Sequence, residues 1–114
     1  MMNKQFYDEM LVRGRLIPFF HQDKLVCLFT FYITDDETPY IQADPWMAQD
    51  DNPDGRICYV SQLLTLKEKE NFKLAFTVWR RFKVYIKTNF PNVRQISWRR
   101  WDGEITRLYK KEIR

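Results

Sequence analysis

The sequence predicts an α+β domain: a mixed, mostly antiparallel five-stranded sheet with one long helix packed on it. Three observations predict this class. Residues 66–89 carry apolar side chains at three- and four-residue steps, the period of a helix with one buried side. Five other segments are short and rich in β-formers. Two junctions between them, His21-Gln22-Asp23-Lys24 and Asp102-Gly103, have the turn chemistry of antiparallel hairpins. A chain of 114 residues supports one core, so 1–114 is read as a single compact domain.

The elements follow in order. Met1–Arg13 reads as a short helix with Phe6, Met10 and Arg13 on one side, ended by Gly14. Arg15–Phe20 is a strand that Pro18 assigns to a sheet edge or a bulge. Leu25–Ile33 (LVCLFTFYI) is almost continuously apolar, as an interior strand covered on both faces would be. A long acidic loop, 34–55, follows. It holds Tyr40, Ile41, Trp46 and Met47, which are expected to dock on the core or on a partner. Asn52-Pro53-Asp54-Gly55 turns the chain into the Arg56–Leu66 strand. Thr65 with Glu68 then forms a capping box for the helix of about 66–89. Phe72, Phe76, Trp79, Phe82, Lys83, Ile86 and Phe90 make its sheet-facing stripe, and Pro91 ends it. Val93–Arg100 and Glu104–Lys111 form the last hairpin, with Trp98 and Ile96 on its core side.

Charge is unevenly distributed. Residues 1–66 have five basic and ten acidic side chains, and residues 67–114 have fourteen basic and five acidic. The span 35–54 contains seven acids and no base. Such a division either steers a partner or is neutralised when the acidic loop lies over the basic half.

The acidic cluster does not match a calcium loop, because Asp50-Asp51-Asn52-Pro53-Asp54-Gly55 lacks the distal glutamate. Cys27 and Cys58 with the single His21 do not complete a zinc site, so no metal is expected. The cysteines read as buried reduced thiols, which fits a cytoplasmic setting. No apolar run approaches a membrane span and no secretory signal is read. No nucleophile is placed beside a base, so no catalytic residue is assigned and the chain reads as a non-enzyme.

A small interaction or accessory protein acting through a charged surface is the leading functional expectation, with a protein partner or self-association. Nucleic-acid binding is the first alternative. Its surface is the C-terminal hairpin, where Arg94, Arg99, Arg100, Arg107, Lys110, Lys111 and Arg114 interleave with Trp98, Trp101 and Tyr109. Arginine forks pair with phosphate and flat rings stack on bases. The surface expected for either partner is Arg94, Arg99, Arg100, Trp101, Arg107, Lys110 and Lys111.

The strand–helix–strand run Arg56–Trp98, preceded by the hairpin Arg15–Ile33, resembles the central part of the GCN5-related acyltransferase fold. The resemblance rests on element order. It implies an acyl-coenzyme A-dependent transferase, of the compact kind found in bacteriophage and mobile-element proteins. Whether the second and third strands splay beside the helix N-terminus decides whether a cofactor is admitted there. It also suggests His21 as a general acid or base and Tyr109 as the acid. That family cradles pyrophosphate with an arginine or glutamine followed by glycines. The matching stretch Leu63–Glu70 has no glycine, so acetyl-coenzyme A enters only through the resemblance and no cofactor is expected from the residues themselves.

Overall fold

The computed structural model describes residues 2–37, 48–49, 51–65, 74–101 and 103–114, with backbone only at Met2, Asn3, Ala75 and Trp101. The fold is a mixed α+β arrangement. Helix α1 (Met2–Val12) precedes strands β1 (Leu16–His21), β2 (Lys24–Thr34) and β3 (Ile57–Thr65); helix α2 (Ala75–Asn89) then leads to β4 (Gln95–Trp101) and β5 (Thr106–Glu112). The five strands lie in the order β1-β2-β3-β4-β5. Only β3 and β4 pair in parallel; the other three pairings are antiparallel.

Local chemistry explains the ends of these elements. Gly14 has φ +71°, its N–H donates to the Leu11 carbonyl, and the Arg15 N–H reaches back to Met10, which closes α1 with a left-handed cap. Gln22 and Asp23 both have positive φ in the two-residue β1–β2 turn, the backbone twist a tight hairpin needs. Pro18 sits exposed on the edge strand β1, where its missing N–H costs no ladder bond. Gly55 packs so close to β2 that a Cβ there would lie 2.6 Å from the Thr34 carbonyl oxygen.

The sheet is covered on both faces. On one, Phe6 and Met10 of α1 meet Tyr32 and Tyr59, which are direct cross-strand partners. On the other, Val78, Phe82 and Ile86 of α2 bury against Phe29, Phe31, Ile33, Cys58, Val60 and Ile96. Phe29 and Phe82 stack at 4.3 Å. Coverage on both sides accounts for the unbroken apolar run of β2.

Two expectations need correction. The buried side of α2 is centred on Val78, Phe82 and Ile86, and Phe76 is 87% exposed. At 100° per residue the 78-82-86 row and the 76-79-83 row lie side by side, and the sheet selects the first. Phe72 and the capping box around Glu68 fall outside the described residues, as do Tyr40, Ile41, Trp46 and Met47. β5 begins at Thr106, the register partner of Trp101, two residues later than the Glu104 start expected from the sequence. Among the described residues, no helix is long and apolar enough to cross a membrane.

Candidate functional site

An aromatic path crosses the α2 face from one edge of the sheet to the other. Phe19 contacts Phe29 at 5.5 Å, Phe29 contacts Trp79 at 5.2 Å, Trp79 contacts Trp98 at 5.5 Å and Trp98 stacks on Tyr109 at 5.9 Å. Its first half is core. In its second half, Trp79 and Trp98 form the floor of two concavities.

The first is a groove of about 320 Å³ between α2 and β5. Its floor is Trp79, Trp98, Ile96 and Ile113, and its rim is Phe76, Arg80, Lys83 and Lys111. Lys83 and Lys111 come from a helix and a strand and meet side by side. The Lys111 charge is the main force pushing the Lys83 pKa below its ordinary value of 10.5, with desolvation next and Lys87 and Arg80 adding to it.

The second concavity, of about 510 Å³, lies where β3 and β4 separate. Their parallel pairing begins at Ile57–Gln95 and ends at Val60–Trp98, although β3 continues to Thr65 and β4 to Trp101. Ser61, Gln62 and Leu63 line one wall, Arg99 and Arg100 the other, with Trp79 and Trp98 between them. Crevices beyond the carboxyl ends of parallel strands are common ligand positions in open sheets. Between the second and third strands, where an opening would admit a cofactor, the junction is closed: β2 and β3 stay paired from Thr34–Ile57 to Cys27–Thr65. The sheet opens one strand further along.

The predicted hairpin surface is divided by the alternation of its strands. Trp98 belongs to the α2 side, so Arg100 and its register partner Arg107 lie there, as does Lys111 opposite Ile96. Arg99 turns to the α1 side, with its guanidinium 6.0 Å from the Tyr59 ring centroid. Lys110 is bonded to Glu37 at 3.0 Å. Arg94 precedes β4, at the far end from Arg99 and Arg100, and its backbone N–H donates to Arg56. The Trp101 side chain lies outside what is described. His21 ends β1 and Tyr109 is on β5, the two opposite edges of the sheet, so these acyltransferase candidates are not brought together.

Arg80, Lys83 and Trp79 were not assigned to a site from sequence. The signal that pointed to them is Lys83, a cation at an apolar step of the helix stripe.

The acidic segment answers a different question. Asp51 bonds the Arg15 guanidinium at 2.7 Å with both side chains largely buried, and it also accepts the Ile33 N–H. Arg15 is in turn packed over the Phe31 and Phe90 rings at 5.6 and 5.1 Å. Asp35 accepts the Arg56 N–H and an Asn52 amide N–H. These acids hold the chain together. Among the described residues, no group of His, Cys, Asp and Glu converges as a metal site. Burial pushes the Cys27 thiol up to about 11 and raises Cys58 as well, so neither is poised as a nucleophile.

No protein-family model matches the chain, and no curated protein matches it either.

Proposed function

We propose that this is a small binding protein that acts through a charged surface, and that the ligand of that surface is nucleic acid. The observation that carries this reading is the meeting of Lys83 and Lys111 over a tryptophan floor. Among ion pairs between described residues, none involves Arg80, Lys83, Arg100 or Lys111. Arg100 and Arg107 are also direct cross-strand partners, which puts both guanidinium groups on the same face of the sheet. Cations gathered against one another, beside exposed rings, suit a ligand that supplies both phosphates and flat bases. An acidic protein would use the cations and leave the rings without a role.

The reading is tested by fluorescence anisotropy with a labelled oligonucleotide. Affinity should fall steeply between about 50 and 200 mM salt. The triple variant Arg100→Gln, Arg107→Gln, Lys111→Gln should flatten the slope of log K against log salt by about 2. Absence of binding at the low-salt end would sink the proposal.

A second reading is favoured by one observation, the separation of β3 and β4. A cleft there suits an acyl-coenzyme A, as the resemblance to the GCN5-related acyltransferases implies. The glycine-free stretch at 63–70 argues against a pyrophosphate cradle of the usual kind. Stabilisation of the melting transition by acetyl-coenzyme A would support this reading. No shift at saturating millimolar ligand would remove it.

A further inference from the structure

The groove between α2 and β5 differs from the β3–β4 cleft in its lining. Arg99 and Arg100 wall that cleft opposite the polar Ser61 and Gln62. Between α2 and β5 a concavity of about 320 Å³ joins a cation pair to an apolar, aromatic floor. That volume is at the small end of ligand pockets, large enough for a ring system with its attached groups. Phe76 on its rim is 87% exposed in the first turn of α2, leaving nearly all of a large apolar side chain in water. Trp98 is stacked on its cross-strand partner Tyr109, with the two planes 13° apart, which orients this floor ring.

We infer that this groove is a subsite for one nucleotide of a single strand, in which Lys83 and Lys111 hold a phosphate and the Phe76, Trp79 and Trp98 rings receive the unpaired base. The inference rests on the nucleic-acid reading above and narrows it. Bases in a duplex are stacked on their neighbours and present only their edges. A ring-lined groove of this size accepts a base that is already unstacked. The lysines contribute charge that is indifferent to sequence, and the rings contribute a contact that only a base can make.

The test compares three labelled probes in the same low-salt buffer: a short thymidine strand, a duplex of equal length, and an abasic strand with the same number of phosphates. The thymidine strand should bind more tightly than the abasic strand by at least about fivefold, the lower end of base–ring stacking. Phe76→Ala, at a position whose exposure spares the fold, should remove most of that difference and leave the abasic affinity unchanged. Lys83→Gln with Lys111→Gln should weaken both strands alike and flatten their salt slopes by about 1.4. If the thymidine and abasic strands bind equally and Phe76→Ala changes nothing, the subsite is wrong and the nucleic-acid reading survives. If duplex binds as tightly as the thymidine strand, the single-strand preference is overturned. If no probe binds, both fall.

Discussion

The acidic connection around residues 35–56 and the basic groove of α2 and β5 use charge in opposite ways. In the first, carboxylates find partners within the chain. Asp51 holds Arg15, Glu37 holds Lys110, and Asp35 ties two turns of the loop together. In the second, Lys83 meets Lys111, like against like. Charge that is paired in the fold belongs to stability. Charge gathered against itself raises the energy of the free protein and is relieved by an anion, so it belongs to binding.

Substitutions in the two regions should therefore have opposite consequences. The largest effect is expected at Asp51. Asp51→Ala leaves the Arg15 guanidinium buried between two phenylalanine rings without its carboxylate, and should lower unfolding free energy by about 3 kcal/mol in urea titration. A loss well below 1 kcal/mol would mean that the connection is not held as described. In the basic region, Lys83→Gln should leave stability unchanged or slightly raised while weakening oligonucleotide binding. A clear loss of stability would reclassify Lys83 as structural.

The pH dependence sharpens the same contrast. Lys83 has a lowered pKa in the folded state, so the unfolded chain binds more protons as pH climbs toward 10.5, and this residue's contribution to stability rises there. Cys27 goes the other way. Its thiol is raised from 9.0 to about 11, so its contribution is complete below pH 9 and is lost as pH rises through 11. Wild-type protein should lose stability above pH 9 in thermal melts. Cys27→Ala should lessen that alkaline loss, and Lys83→Gln should steepen it by removing the opposing gain. Superimposable profiles would break the assignment. Smallest of all, Lys110→Gln, which opens an exposed pair with Glu37, should cost about 0.3 kcal/mol in the same titration.

Much of the fold was legible because it rests on local periodicity. The β2 run, the Gly14 cap, the hairpin at Gln22-Asp23 and the edge position of Pro18 follow from residues close in sequence. The site was less legible. The hairpin cations were identified as a group, yet strand alternation sends Arg99 and Lys110 toward the α1 side and Arg100, Arg107 and Lys111 toward α2. Lys83 and Trp79 joined the second set from a helix that sequence reading had assigned to the core.

The sequence by itself determined the order and type of the elements and the uneven distribution of charge, since both are properties of neighbouring residues. Tertiary structure alone decided three things. It chose which row of α2 meets the sheet, because helical spacing defines adjacent rows and only contact area distinguishes them. It placed the opening between β3 and β4, because parallel register ends where two strands diverge in space. It chose which charges meet, because Asp51 and Arg15, or Lys83 and Lys111, are brought together by chain packing that no local pattern records.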